Sequence, residues 1–257
     1  MFKNLPTPTI FAHRGSSAYA PENTLAAFQL AIKQKATAIE LDAKLCASGE
    51  VVVIHDQTVD RTTNGHGRVL EMPLTALKAL DAGDFFDPAF QRETIPTLAE
   101  VFQTVGTALT INVELTNYAS PRDSLPERVI ALVKDHGLED SVFFSSFNPL
   151  ALRRARKLAP QIPIALLTLS GWAGWWARTI LGRWGNYQAL HPEKSDAQPG
   201  LIQRQHRLGR RVHVYTVNQA AEMQSLFANG VDGIFTDDPP LALKALAAYQ
   251  PTTGVTG

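Results

Sequence analysis

The chain has 257 residues, 45% of them hydrophobic and 19% charged, which is enough apolar content for one large core and too much for a disordered chain. Lys plus Arg and Asp plus Glu each number 24, so no basic excess points to nucleic acid as a partner. The one cysteine, Cys46, excludes an intramolecular disulfide and any multi-cysteine metal site, and no run reaches the roughly 18 apolar residues of a membrane span. With no signal-peptide run in residues 1–8, a soluble, cytoplasmic protein is expected.

Short β-rich runs alternate with helical stretches along the chain. A run at 9–13 precedes a helical stretch at 24–35 and a second run at 36–42. After a long irregular interval come a run at 109–115 and a helix at 125–136. Runs at 142–145, 162–167, 187–191, 212–217 and 233–236 follow, with helical pattern at 150–158 and 220–228 among the connections. Strands that alternate with helices pair in parallel through helical crossovers. Eight such runs predict a single (β/α)8, TIM-type barrel domain over 8–248.

One further β-rich run, 51–54, follows the second strand too closely for a parallel crossover, which needs about a dozen residues. With Ser48 and Gly49 at a turn, 42–55 reads as a hairpin-like excursion that carries His55 back over the barrel mouth. Residues 57–96 break the alternation with Asn64, Gly65, Gly67, Pro73, Gly83, Pro88 and Pro96 around a short helical piece at 74–80. They predict a small insertion, and 251–257 are expected to be a disordered tail.

In this architecture functional side chains gather at the C-terminal ends of the strands. The first run ends in His13-Arg14-Gly15, the second in Glu40-Leu41-Asp42, the third carries Glu114, and the hairpin ends in His55-Asp56. Glu40 and Asp42 are two apart and share one face of their strand. Two carboxylates turned into an apolar barrel are costly unless a cation neutralises them. With Glu114 on a neighbouring strand, three carboxylates and no thiolates suit one hard divalent ion, Mg²⁺ or Ca²⁺. His13 and His55 flank that site, and an imidazole pKa of about 6.5 lets one donate a proton while the other accepts one. Arg14 offers a guanidinium fork matched to phosphate oxygens. On these residues alone the chemistry is metal-assisted phosphoryl or acyl transfer with histidine acid–base help, and a metal-binding sugar or enolate enzyme stays open beside it.

The same residues lie within a longer ordered set. It begins with Ala12-His13-Arg14-Gly15, Pro21-Glu22-Asn23-Thr24, Glu40-Leu41-Asp42, His55-Asp56 and Arg61-Thr62-Thr63-Asn64. Leu80-Asp81-Ala82-Gly83, Ile95-Pro96-Thr97-Leu98, Asn112-Val113-Glu114 and Ser146-Phe147-Asn148 continue it. Val214-Tyr215-Thr216-Val217-Asn218, Gly230-Val231-Asp232-Gly233 and Thr236-Asp237-Asp238-Pro239 close it. From about residue 10 to 245 this set resembles the glycerophosphodiester phosphodiesterase family.

The resemblance implies a (β/α)8 barrel with a small insertion after the His-Asp pair. It implies one divalent cation, Mg²⁺ or Ca²⁺, on Glu40, Asp42 and Glu114, and an acid–base pair of His13 and His55. It implies a phosphate contact from Arg14, and an aromatic substrate contact from Tyr215, where the family commonly has tryptophan. The implied activity is hydrolysis of glycerophosphodiesters to glycerol 3-phosphate and an alcohol. Lysophospholipase D-like hydrolysis of lysophospholipids and a non-catalytic phosphate-ligand-binding barrel are the alternatives.

The chain also departs from the family pattern. Many members carry a lysine two residues after the third carboxylate, where this chain has Thr116. A lysine returned to that position is expected to lower KM; Lys44 offers charge in its place as one reading, and a solvated hairpin residue is the expected one. The threonine-x-aspartate usual after the second strand is Cys46-Ala47-Ser48. All four tryptophans, Trp172, Trp175, Trp176 and Trp184, fall in one glycine-punctuated segment with Arg178 and Arg183. Either these rings pack inward from a barrel helix, or they form an apolar rim for a lipid-like leaving group or a membrane interface.

Overall fold

A computed structural model describes residues 5–179 and 186–249, so the expected tail at 251–257, Arg183 and Trp184 lie outside the described residues. The strands are β1 (Thr9–Ala12), β2 (Ala38–Leu45), β3 (Val51–Val53), β4 (Thr110–Leu115), β5 (Val142–Ser146), β6 (Ile164–Thr168), β7 (Ala189–Pro192), β8 (Arg211–Val214) and β9 (Gly233–Thr236). All but β3 pair in parallel with the next in order, and β1 bonds both β2 and β9, which closes the barrel. The helices are α1 (Leu25–Lys33), α2 (Leu74–Lys78), α3 (Leu98–Val105), α4 (Leu125–Asp135), α5 (Pro149–Leu158), α6 (Gly171–Thr179), α7 (Pro199–Arg207), α8 (Ala220–Ala228) and α9 (Pro239–Ala248). The eight-stranded (β/α) barrel expected from the alternation is the fold.

The period of two along each strand sorts the core into two layers. Outward residues such as Ile39, Leu41, Ile111, Val113, Phe144 and Leu166 join the helix-covered cluster. Inward residues Phe11, Ala38, Phe143, Ala165, Ala189 and Phe235 form a separate cluster inside the barrel, with Leu5 just ahead of β1. Phe11 stacks on Phe235 with centroids 4.6 Å apart. The alternation that makes Ala38 an inward residue also turns Glu40, Asp42 and Lys44 inward, one pleat at a time toward the open end of the barrel.

Two of the family-like segments serve the scaffold. Asn148 accepts from the Leu150 N–H at the start of α5, and Asp238 accepts from the Leu241 N–H at the start of α9. Both are N-caps of the kind that satisfy otherwise orphaned helix donors.

β2 runs to Leu45, three residues past the expected Asp42, because its end is paired by the hairpin. β3 lies antiparallel to it in the register Ala43 with Val53, Lys44 with Val52 and Leu45 with Val51. Gly49 makes the turn at φ +90°, a conformation that side-chain-bearing residues rarely adopt. Beyond β3 the chain folds back over the hairpin, with Val59, Val69, Leu77, Ala82 and Ile95 packed against Cys46, Val52 and Ile54. The Val53 N–H donates to the Pro96 carbonyl, so this segment ends where it began.

Two histidines lie in the barrel interior. His191 on β7 and His213 on β8 are fully buried, with Nε2 of the first 3.1 Å from Nδ1 of the second. Phe11 and Phe235 pack on this pair. Burial pushes His191 down to about 3, and burial with the neighbouring His191 pushes His213 well below its usual value. The unfolded chain, at about 6.5, takes up protons first as pH falls. Stability is therefore intact above about pH 6.5 and is lost as the pH drops from there toward 3 for His191, with His213 acting in the same direction. Thermal denaturation between pH 7.5 and 5 should show a steeper fall in Tm for the wild type than for His191→Leu, and parallel slopes would mean that the pair does not sense acid.

Candidate active site

Three carboxylates meet at the mouth of the barrel. The β2–β4 ladder sets Glu40 opposite Asn112 and Asp42 opposite Glu114. One donor oxygen from each of Glu40, Asp42 and Glu114 lies within 4.8 Å of the others. Burial, with Asp42 and Glu114 close by, raises Glu40 well above the usual carboxylate range. Burial and Asp42 push Glu114 up to about 8. Asp42 stays on the acidic side: burial opposes its charge, but Arg14, His55 and the Asn23 amide outweigh it. Oxygen donors on a single hard divalent ion stand about 2.0–2.6 Å from it, hence no more than about 5 Å from one another, and this cluster satisfies that limit. Asn112 lines the same cavity with a buried Oδ1 that has no hydrogen-bond partner among the described residues. The donor set thus fits a hard cation.

The loop after β1 is shaped around those acids. Arg14 adopts φ +56°, and its backbone N–H donates to Glu40 Oε2 at 3.0 Å. Asn23, at φ +58°, donates from Nδ2 to Asp42 Oδ2 at 2.8 Å. Both conformations are left-handed and disfavoured for most side chains. Gly15, at φ +85°, is required for a second reason, since a Cβ there would stand 2.6 Å from that of Ala27. The Arg14 guanidinium reaches Glu22 at 2.9 Å and Asp42 at 3.4 Å.

Both histidines of the expected acid–base pair face this cavity, each held from behind by a carboxylate. His13 Nδ1 lies 2.7 Å from Asp237 Oδ1, and His55 Nδ1 lies 2.6 Å from Asp56 Oδ1. An Nδ1–H bonded to a carboxylate leaves Nε2 free to exchange a proton. Asp237 in turn accepts from Asn218 and Ser17. Asp56 accepts from Arg61, which also donates to both oxygens of Glu22 at 2.7 and 2.8 Å. Glu22 therefore joins the loop of His13 and Arg14 to the loop of His55. Burial opposes the charge on Glu22, but Arg61 and Arg14 hold its pKa below the usual range.

A cavity of about 210 Å³ is lined by His13, Arg14, Glu40, Asp42, His55, Glu114 and Tyr215, with Asn112, Phe147, Leu167 and Phe235 among its walls. The seven residues singled out from the sequence thus meet at one place. The Tyr215 hydroxyl donates to the Thr168 carbonyl at 2.9 Å, and its ring lies edge-on to Phe147. Asp237, Asn23, Glu22, Arg61 and Tyr118, whose hydroxyl donates to Glu114, were given no role by the sequence reading. Four of them stand within the quoted segments, but only packing shows which atoms they hold.

One expectation is overturned. Lys44 is not a solvated hairpin residue: it is 6% exposed and donates to Thr116 Oγ1 at 2.8 Å. The even spacing from Glu40 turns it inward, and burial lowers its pKa. The tryptophans go the other way. α6 leaves the mouth just after β6, and Trp172, Trp175 and Trp176 are 79%, 46% and 53% exposed, which removes the inward-packing reading for these three.

A family model described as the glycerophosphoryl diester phosphodiesterase family matches residues 13–241. The chain is similar to a glycerophosphodiester phosphodiesterase of Caldanaerobacter subterraneus subsp. tengcongensis, 40% identical over 231 residues that cover 90% of this chain and 94% of the other. It is 33% identical to a glycerophosphodiester phosphodiesterase of Bacillus subtilis, covering 93% and 86% of the two chains. A solved phosphodiesterase of Oleispira antarctica, in complex with the product sn-glycerol-3-phosphate, superposes with a TM-score of 0.86 at 32% identity, over 94% of this chain and 98% of that one.

Proposed function

The chain belongs to the glycerophosphoryl diester phosphodiesterase family, an enzyme family of glycerophosphodiester hydrolysis, and from that membership we propose a metal-dependent reaction with His13 and His55 as its acid–base pair. The products are glycerol 3-phosphate and an alcohol, formed by one barrel unit over 8–248 that includes the insertion at about 57–96. Glu40, Asp42 and Glu114 would hold one Mg²⁺ or Ca²⁺. When bound, such an ion supplies positive charge to non-bridging phosphate oxygens and offsets the charge that builds on them. Arg14 orients the phosphate from the β1 side, and Tyr215 with Phe147 walls the leaving group.

One imidazole takes a proton at Nε2 from the attacking hydroxyl, either water or the glycerol 2-hydroxyl on the way to a cyclic phosphate. As the new P–O bond forms, the P–O bond to the alcohol breaks, and the other imidazolium gives its Nε2 proton to the departing alkoxide. On the 2-hydroxyl route water then adds to the cyclic phosphate with the proton roles reversed, and the P–O bond to the 2-oxygen breaks to give glycerol 3-phosphate. Asp237 and Asp56 keep each ring in the required tautomer and stabilise its protonated form. The observation that carries this reading is the arrival of two carboxylate-braced histidines at the cavity of a three-acid cluster.

A second reading concerns substrate range, and the exposed indoles of α6 favour it. Trp172, Trp175 and Trp176 pack edge to face at 5.9 and 5.6 Å and remain exposed. The helix starts a few residues after Leu167, which walls the cavity. Exposed indoles that follow an apolar cavity wall in the chain suit the acyl chain of a lysophospholipid.

Chelation should abolish hydrolysis of glycerophosphocholine, and Mg²⁺ or Ca²⁺ should restore it, with Glu114→Gln needing far more metal. Full activity in chelator would remove the metal from the mechanism. His13→Ala and His55→Ala should each lower kcat on the order of 100-fold or more with a much smaller change in substrate affinity. A near-normal kcat would make that histidine structural. Replacing Trp175 and Trp176 together with alanine should lower activity on lysophosphatidylcholine about tenfold and leave glycerophosphocholine turnover intact. A large loss of Tm with no selectivity between the two substrates would end the rim reading.

A further inference from the structure

Three cations stand around the acid cluster, and direct ion pairs already neutralise two of them. Arg14 reaches Glu22 and Asp42, and Arg61 reaches Glu22 and Asp56. Lys44 differs. Among the described residues its ammonium has no carboxylate oxygen within 4.0 Å. It donates to Thr116 Oγ1 at 2.8 Å and, more weakly, to the Thr116 carbonyl at 3.4 Å.

The oxygens it touches are neutral, and the charges of Asp42, Glu114 and Asp56 act on it only from beyond ion-pair distance, so its burial remains costly. The seat is nonetheless built for it. The Thr116 hydroxyl donates its own hydrogen to the Ala43 carbonyl at 2.7 Å, so its lone pairs are what it offers to Lys44. The register places the seat as well. After the rungs Glu40 with Asn112 and Asp42 with Glu114 the ladder ends at Ala43 with Leu115, and Lys44, about 6.6 Å further up the same inner face than Asp42, reaches Thr116 through its side chain. That is the direction from the metal-binding acids toward the open end, where a phosphodiester enters. Glu40, Asp42, Glu114, Glu22 and Asp56 carry five formal negative charges, and a divalent ion with Arg14 and Arg61 supplies four positive ones, so without Lys44 a phosphodiester would meet a net negative site.

We propose that Lys44 is a substrate-binding residue of this enzyme, with its ammonium, seated on Thr116, facing the phosphate of the bound diester and setting affinity for it. The inference rests on the hydrolytic reading for the identity of the ligand. It also replaces the expectation for position 116: a lysine there would push a second ammonium into a seat already taken, so Thr116→Lys should not lower KM.

Lys44→Met removes the charge and keeps the bulk, and Lys44→Arg keeps the charge. With glycerophosphocholine, Lys44→Met should raise KM on the order of tenfold or more while kcat stays within about threefold of the wild type. Lys44→Arg should recover most of that loss. Calorimetric titration with sn-glycerol 3-phosphate, run on the same metal-loaded proteins, should show the same order of weakening for Lys44→Met. A folded Lys44→Met with KM and product affinity within twofold of the wild type would overturn the proposal, as would a Thr116→Lys single variant with a lower KM. Should Lys44→Met not fold, Lys44→Thr combined with Thr116→Lys carries the test, since one ammonium and one hydroxyl then occupy the same volume. A KM within about threefold of the wild type supports the proposal, and a tenfold rise overturns it. An inactive wild type would count against the proposed hydrolysis alone, because the calorimetric arm still decides Lys44.

Discussion

Mutual repulsion among Glu40, Asp42 and Glu114 is the constraint around which the mouth of this barrel is built. Three carboxylates within 4.8 Å of one another, at the end of an apolar barrel, would each prefer a proton or a cation. The surrounding chain answers that demand with fixed donors. The Arg14 backbone N–H serves Glu40, the Asn23 amide serves Asp42, and the Tyr118 hydroxyl serves Glu114. Two of these donors come from residues in left-handed backbone conformations, Arg14 and Asn23. Backbone strain of this kind persists where surrounding contacts over-determine it, and here the contacts are to the acids themselves.

The next rank of charge has a different task. Glu22, Arg61 and Asp56 form a chain that ties the hairpin exit to the β1 loop. His55 sits at one end of that chain and Arg14 at the other, so groups far apart in sequence are joined by one run of ion pairs. His13 is anchored independently through Asp237 at the end of β9, on the far side of the barrel seam. Two imidazoles held by separate anchors suit opposed tasks, because each keeps its own tautomer whatever the other does.

The barrel is polarised along its axis. Its lower interior holds Phe11, Phe143 and Phe235 with the neutral pair His191 and His213. Its mouth holds the acids, the guanidinium groups and Lys44. On one side of the mouth the wall turns apolar again through Phe147, Leu167 and Tyr215, and α6 continues it outward as exposed indoles. A phosphodiester has the same two-sided character, with a charged centre and a leaving group whose polarity varies. Under the proposed function, the apolar side of this mouth sets substrate range and the charged side breaks the bond.

Much of this was legible in the chain before folding. Alternation of strand and helix predicted the barrel, and a spacing too short for a crossover predicted the hairpin of β2 and β3. The period of two put Glu40 and Asp42 on one face, and a neighbouring strand brought Glu114 beside them. These are consequences of backbone geometry, which acts over a few residues and leaves its mark in local order. Only the tertiary structure decided the rest. Lys44 shares the parity of Glu40 and Asp42, yet whether it reaches water or Thr116 depends on a strand 72 residues away. His13 finds its carboxylate 224 residues later, and the three described tryptophans point outward although their spacing suits a packed helix equally well. Burial and Coulomb partners are properties of what packs against a side chain, and that is settled only when distant segments meet.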